Sequence, residues 1–246
     1  MKEKKGEITT AQIVTIIILI VSFIVILYFF FRLNLGATTN SEICHNSVVL
    51  QAKSAKLVGA LQCKTDYVCI SGGGTCENLN PTITLKVDST KKNETMKALA
   101  DQMANCWWMF GEGKLDYLEL SAVQGTVTGG RGCAVCSVVG FDNKINSISY
   151  GDFIDYLAKT KKDDTQTYLQ YLYGASNLQE LNPSGAEPPY ASWTISNADT
   201  FSIITGESKG AFNFWGRGDF LPPILLKTSD VSKELTECGG NFFTQT

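Results

Sequence analysis

The chain has 246 residues, a formal net charge of −3, 44% hydrophobic residues and 18% charged residues. This composition is typical of a folded chain rather than an intrinsically disordered one. The length allows one sizeable domain or two small ones. Its lysines and arginines are scattered and form none of the basic faces or stripes that nucleic-acid-binding proteins carry, so no nucleic-acid partner is expected.

An uncharged apolar segment covers residues 11–31 and follows the lysine-rich start MKEKKGEITT. A helix over this segment would be roughly 30 Å long, which is about the thickness of a bilayer's hydrocarbon core. Lys2, Lys4 and Lys5 precede it, and by the positive-inside rule they would keep residues 1–10 in the cytoplasm. The sequence therefore predicts one transmembrane helix over 11–31, with the lipid bilayer as its partner and the rest of the chain outside the cell.

All the cysteines lie beyond this segment, and their number is even. An even count on an exported chain indicates disulfides formed in an oxidising compartment. Cys69 and Cys76 could close a small loop, Cys63 with Cys76 is an alternative, and the spacing leaves the pairing open. The candidate disulfide residues are Cys44, Cys63, Cys69, Cys76, Cys106, Cys133, Cys136 and Cys238.

Residues 32–43 show no apolar period and are predicted to be a linker to an exported domain over 44–246. The domain begins with segments rich in valine, leucine and isoleucine, which predict strands over residues 47–52, 56–62, 67–70 and 82–87. The run Gly72-Gly73-Gly74 lacks the Lys-Ser/Thr ending of a phosphate-binding loop and predicts a hairpin turn.

The clearest predicted helix covers residues 92–110, where Met96, Leu99 and Met103 belong to one apolar stripe. Glycines after Phe110 are expected to end it. The later segments predict strands over 115–122 and 133–141, helices over 149–158 and 164–173, a loop over 182–189, and strands over 191–204 and 223–227. Strands and helices in this order predict an α+β domain.

Cys133-Ala-Val-Cys136 has the spacing of a thiol oxidoreductase motif. In those enzymes the motif begins a helix, whereas here a strand-like apolar run follows it. Residues three apart in a strand point to opposite faces. We therefore expect the two sulfurs to bond to different partners, with structural disulfides favoured over a redox pair or a metal site.

His45 is the single histidine of the chain. One histidine provides neither a zinc cluster nor the base of most nucleophilic triads, so no metal, cofactor or catalytic residue is predicted and the chain is not expected to be an enzyme. Trp108 is a candidate platform for stacking a ligand, while Trp107 continues the apolar stripe and belongs to the core. Asn93-Glu94-Thr95 is an N-glycosylation sequon, or else a polar start to the predicted helix.

Two resemblances add to these observations. Lys4-Lys5-Gly6-Glu7 before an apolar run resembles the class III signal peptides of archaeal type IV pilin-like proteins. The resemblance implies cleavage between Gly6 and Glu7, although that family usually has Gln where Glu7 stands. The stretches RLNLG, EICHNSVVL, YVCIS and CWWMFGEGK are similar to those of uncharacterised archaeal single-pass membrane proteins. That similarity implies an archaeal cell-surface setting and no known activity.

The function expected from the sequence is that of a membrane-anchored, disulfide-stabilised cell-surface protein with a structural or binding role. Its partner would be an envelope protein or a glycan. One alternative is a pilin-like subunit processed after Gly6. The other is an envelope thiol oxidoreductase that uses Cys133 and Cys136. The sequence gives no indication of the oligomeric state.

Overall fold

The computed structural model describes residues 10–32, 39–54, 61–117, 130–181, 193–209 and 220–234. The chain divides into two compact units, Met1–Thr39 and Asn40–Thr246. Gly6, Glu7 and Cys238, together with the predicted loop over 182–189, lie outside the described residues.

In its described residues, the first unit contains the helix α1, over Thr10–Arg32. No helix in the described part of the chain is long and apolar enough to cross a membrane. The prediction of a transmembrane helix over residues 11–31 is therefore wrong for the described residues, and the orientation derived from it stays untested.

The second unit is an α+β fold, as predicted. Its helices are α2 (Asn40–Ser54), α3 (Lys92–Met109), α4 (Tyr150–Lys159), α5 (Tyr168–Tyr173), α6 (Leu178–Leu181) and α7 (Val231–Glu234). Its strands are β1 (Asp66–Ser71), β2 (Ile83–Lys86), β3 (Gly130–Phe141), β4 (Ile148–Ser149), β5 (Thr194–Ile195), β6 (Phe201–Lys209) and β7 (Phe220–Lys227). Short 3-10 turns lie at Gly111–Gly113 and Thr228–Asp230.

The main sheet is mixed, with the strand order β2-β1-β3-β6-β7. Strand β1 runs parallel to both β2 and β3, whereas β6 is antiparallel to β3 and β7 is antiparallel to β6. Strands β4 and β5 form a separate antiparallel pair. The carboxyl ends of β1, β2 and β3 therefore meet at one edge of the main sheet.

The predicted hairpin at Gly72-Gly73-Gly74 is wrong, because the strands on either side of it are parallel. Parallel neighbours need a crossover instead of a tight turn, and residues 72–82 provide it without a helix. In this crossover, Leu79 lies so close to the sheet that a Cβ on Gly140 would be 3.3 Å from its side chain.

The predicted strand over 47–52 is also wrong, since these residues belong to α2. The buried positions Cys44, Ser47 and Val48 recur with the three-and-four spacing of a helix, and this burial overrides the strand preference of Val48 and Val49. The folded unit therefore begins at Asn40, four residues before the predicted boundary.

Helix α3 agrees with its prediction, and Gly111 ends it with a φ of 77°. Helix α4 begins as predicted, because the Ser149 hydroxyl accepts a hydrogen bond from Asp152 N–H. Helix α5 begins later than predicted, because Thr167 and Gln170 form a capping box there. Gly174, with a φ of 64°, then ends α5 as expected.

Two strand predictions need further correction. The sequence predicts one continuous strand over 191–204, but the chain turns after β5 and resumes as β6. Residues 115–117, the described part of the predicted strand over 115–122, have no strand pairing. Strands β3 and β7 match the predictions at 133–141 and 223–227, with earlier starts.

Candidate functional site

The Cys133-x-x-Cys136 motif lies in the middle of β3 and not at the start of a helix. Cys136 is bonded to Cys106 of α3, so the motif does not form its own disulfide. Cys133 is also disulfide-bonded, and it packs in a small apolar cluster with Ile204 and Leu221. The prediction that these two sulfurs have different partners is confirmed.

A β-bulge explains how Cys136 reaches α3. The pairing of β3 with β6 shifts between Val135 and Ser137, which leaves Cys136 as the extra residue. Cys136 then lies in the main core with α3, whereas Cys133 lies in the smaller cluster. The two sulfurs are thus separated into two different apolar clusters.

Two further disulfides lie elsewhere in the fold. Cys44 of α2 is bonded to Cys63, which ties α2 to the chain just before β1. Cys69 of β1 is bonded to Cys76, and this bond closes a loop around the glycine run. Among the described cysteines none is free. The sequence alone leaves the choice between Cys69–Cys76 and Cys63–Cys76 open, and the structure has Cys69–Cys76.

Trp108, the candidate for ligand stacking, already has a partner inside the protein. The ring of His45 stacks on it with a centroid distance of 4.1 Å and an interplanar angle of 12°. The Nδ1 atom of His45 also lies 2.8 Å from the carbonyl oxygen of Trp108. A ligand could therefore stack only on the opposite face of the half-buried indole. Trp107 belongs to the main core, as predicted.

Among the described carboxylates the most completely buried is Asp142, which follows β3 at the carboxyl edge of the parallel strands and has no exposed surface. Its Oδ2 atom accepts hydrogen bonds from Gly74 N–H at 2.6 Å and from the Ser71 hydroxyl at 2.8 Å. Its Oδ1 atom accepts from the backbone N–H groups of Lys144 and Ile145 at 3.0 and 3.2 Å.

Burial alone would raise the pKa of Asp142, but hydrogen bonds from Gly74 N–H and the Ser71 hydroxyl outweigh it, and the net pKa lies below the usual value. In parallel sheets this edge is where ligands commonly bind. Here the chain's own Asp142 carboxylate accepts the hydrogen bond that Gly74 N–H of the glycine loop donates. Asp142 therefore holds the loop in place, and its oxygens are already saturated.

A second unusual feature is the turn Gly111–Gly113, in which three consecutive residues have positive φ. Glu112, with a φ of 57°, is the single described non-glycine residue in this conformation. Such a conformation costs a non-glycine residue about 1–2 kcal/mol and persists where surrounding contacts impose it. Lys114 Nζ lies 2.6 Å from Glu112 Oε2, and the Tyr171 hydroxyl donates to Oε1 at 2.7 Å.

These contacts also shift the pKa values of Glu112 and Tyr171. Burial would raise the pKa of Glu112, but hydrogen bonds from Lys114 and Tyr171 lower it below the usual value. The pKa of Tyr171 is raised well above its ordinary value, first by burial and then by its bond to Glu112. The ammonium group of Lys162 lies 4.1 Å from the centroid of the Tyr171 ring. The cluster ties α5 to the end of α3.

Sequence reasoning missed both Asp142 and Glu112. A polar residue directly after a buried strand could have indicated Asp142. The pattern Gly111-Glu112-Gly113 could have indicated a left-handed turn in addition to a helix end. Neither signal names the partners, because Ser71 is 71 positions from Asp142 and Tyr171 is 59 positions from Glu112.

The remaining chemistry is sparse. In the described ranges, no three His, Cys, Asp or Glu side chains cluster in a way that could hold a metal ion. Asn93 lies exposed in the first turn of α3. Its glycosylation stays a prediction. Comparisons of the chain with protein-family models, curated proteins and solved structures find no match.

Proposed function

We propose that this protein works outside the cytoplasm as a disulfide-stabilised, non-enzymatic module with a structural or binding role. The observation that carries the proposal is the use of cysteine. Three disulfides between described residues cross-link the fold, Cys133 is disulfide-bonded as well, and no described cysteine is free. Structural disulfides form and persist in oxidising compartments and are rare in a reducing cytoplasm.

The titratable clusters favour a structural or binding role over catalysis. A catalytic acid or base must reach a substrate. Asp142 is completely buried with both oxygens bonded to the chain itself. Glu112 is held by Lys114 and Tyr171. The thiol oxidoreductase alternative is not proposed, because Cys136 is bonded to Cys106. An envelope protein or a glycan is the class of partner we expect.

Labelling of intact native cells tests the location. A membrane-impermeant amine reagent is added before lysis, and the purified protein is mapped by mass spectrometry. Lys144 and Lys159, both exposed, are expected to be labelled in intact cells, while a cytoplasmic control protein stays unlabelled. Lysines that are labelled only after lysis would contradict export.

A second candidate function is a pilin-like subunit processed after Gly6. The supporting observation is that α1 belongs to a compact unit separate from the α+β fold. Its described large apolar side chains, from Ile13 to Ile26, are 46–64% exposed. Exposed apolar side chains in such number call for a partner, and the helices of further copies of the subunit would provide one.

N-terminal sequencing of the protein purified from native cells separates the two candidates. A mature chain that begins at Glu7 supports the pilin-like subunit. A chain that still begins at Met1 or Lys2 contradicts it and leaves the first proposal standing.

A further inference from the structure

The chain contains three Asn-x-Ser/Thr triplets, and they differ in their middle residue. Asn80-Pro81-Thr82 and Asn182-Pro183-Ser184 carry proline, which N-glycosylation does not accept in the middle position. Asn93-Glu94-Thr95 carries glutamate and is the one permitted sequon of the sequence. Asn80 and Asn93 both lie in described, exposed parts of the fold, so one can serve as an internal control for the other.

The fold presents Asn93 to solvent. It is the second residue of α3 and is exposed, and its side chain has no hydrogen bond to any other described residue. The neighbouring Glu94 side chain turns toward the preceding loop, where its Oε2 accepts a hydrogen bond from Asp88 N–H at 2.9 Å. A sugar on the Asn93 amide would therefore extend into solvent without displacing a contact of the described fold.

The third residue of the sequon behaves in the opposite way. Thr95 is a residue of the first turn of α3 and is only 2% exposed. A helix turns by about 100° per residue, so the side chains of Asn93 and Thr95 point about 160° apart, toward nearly opposite sides of α3. A transferase that must contact both the asparagine amide and the threonine hydroxyl cannot do so once α3 has formed.

We infer that Asn93 carries an N-linked glycan that is attached before α3 folds. The donor would be a lipid-linked oligosaccharide. The amide nitrogen forms a bond to the anomeric carbon, the bond from that carbon to the lipid phosphate breaks, and the amide loses one proton while the lipid phosphate departs. The inference rests on the proposed export, because such transfer takes place on exported chains.

The Cys106–Cys136 disulfide sets the time limit for this modification. Cys106 lies on α3, and its bond to β3 fixes the helix against the sheet. Once it has formed, local unfolding of α3 becomes harder, and Thr95 stays buried. Delaying disulfide formation with a mild reductant during synthesis is therefore expected to increase the fraction of chains modified at Asn93.

To test the inference, the full chain is expressed in a host whose secretory route attaches N-glycans. The glycopeptides are then mapped by mass spectrometry. The wild type is expected to carry one glycan at Asn93, and Asn93→Gln none, with unchanged melting behaviour because the side chain is exposed and has no described partner. Pro81→Ala removes the proline that blocks the triplet beginning at Asn80, in an exposed loop, and this variant is expected to carry two glycans.

The Pro81→Ala variant distinguishes failure of the inference about Asn93 from failure of the proposed export. A glycan at Asn80 with none at Asn93 would overturn the inference and leave export intact. An unmodified wild type together with an unmodified Pro81→Ala variant would overturn the inference and also count against export.

A second measurement tests the timing. Folded, unglycosylated Pro81→Ala protein is incubated with transferase and lipid-linked donor. Modification is expected at Asn80 and not at Asn93, and unfolding in reductant is expected to restore modification at Asn93. Equal modification of both sites in the folded protein would overturn the requirement that the glycan is attached before α3 forms.

Discussion

Cys136 is bonded to Cys106 on α3 and not to Cys133, its neighbour in the Cys-x-x-Cys motif. The β-bulge at Cys136 places it in the main core, while Cys133 packs in the smaller apolar cluster. The motif therefore ties a helix to the central sheet and does not provide a dithiol. Together with Cys44–Cys63 and Cys69–Cys76, this disulfide cross-links the described fold covalently.

The disulfides are expected to differ in how much each contributes to the free energy of unfolding. Cys106 and Cys136 are 30 positions apart, whereas Cys69 and Cys76 are 7 apart. Because a longer loop restricts the unfolded chain more, Cys106→Ala/Cys136→Ala is expected to cost about 3–4 kcal/mol and Cys69→Ala/Cys76→Ala about 2 kcal/mol. Urea unfolding of the two double variants measures both values. An equal or reversed ranking would show that loop closure does not dominate.

Substitution of Asp142 tests the glycine loop. Asp142→Asn places an N–H₂ group where donors from Ser71, Gly74, Lys144 or Ile145 need an acceptor, so a loss of about 2–3 kcal/mol is expected at pH 7. Asp155→Asn is the matched control, because Asp155 makes only an exposed ion pair with Lys159 and its loss is expected to stay below about 0.5 kcal/mol. Similar losses in both variants would contradict a structural role for Asp142.

The stability difference between the wild type and Asp142→Asn is expected to depend on pH. The pKa of Asp142 is lower in the folded protein than in the unfolded chain. Its contribution to stability is therefore complete above the unfolded value, near pH 4, and is lost as the pH falls through the folded value. The difference between wild type and Asp142→Asn is expected to shrink below about pH 4. A difference that stays constant down to pH 2 would contradict this.

Tyrosine ionisation tests the Glu112 turn. Burial and the bond to Glu112 raise the pKa of Tyr171, so the stability from this group is present below about pH 10 and is lost as the pH rises through the folded value. Tyr171→Phe is expected to cost about 1 kcal/mol at pH 7. An absorbance titration is expected to show one fewer late-titrating phenol in the variant. An unchanged titration curve would place the late phenols elsewhere.

Two glycines are expected to respond in opposite directions to alanine. Gly206→Ala would place a Cβ 2.6 Å from the Gly132 carbonyl oxygen, so a loss of about 2 kcal/mol is expected. Gly151 lies in the first turn of α4 with only Ser149 Oγ nearby, at 4.0 Å. Gly151→Ala is expected to gain about 0.5 kcal/mol through helix propensity. Urea unfolding gives both signs, and destabilisation by Gly151→Ala would indicate an additional contact.

The parts of the fold that sequence predicted correctly are those with a strong local pattern. The stripe of Met96, Leu99 and Met103 predicts α3, and Gly111 and Gly174 end their helices as glycine commonly does. Ser149 caps α4 through a bond to Asp152 three residues later. Each of these features depends on neighbours within a few residues, so one sequence is sufficient to predict them.

The parts that sequence could not predict depend on distant partners. The parallel pairing of β1 with β3 brings Asp66 beside Ser137, and no local pattern encodes that register. Val48 and Val49 at the centre of α2 favour a strand by their intrinsic preference, whereas α2 packs against α3 as a helix. The hydrogen bonds of Asp142 and Glu112 likewise become visible only once the sheet and helices are assembled.

The redox state of the cysteines in living cells tests the proposed function most directly. Native cells are quenched in acid, unfolded and treated with an alkylating reagent before and after reduction, and the alkylated peptides are counted by mass spectrometry. Cys44, Cys63, Cys69, Cys76, Cys106, Cys133 and Cys136 are expected to resist alkylation until they are reduced, with Cys106 linked to Cys136. Alkylation of Cys106 and Cys136 without reduction would show a protein kept in a reducing compartment and would contradict a disulfide-stabilised module outside the cytoplasm.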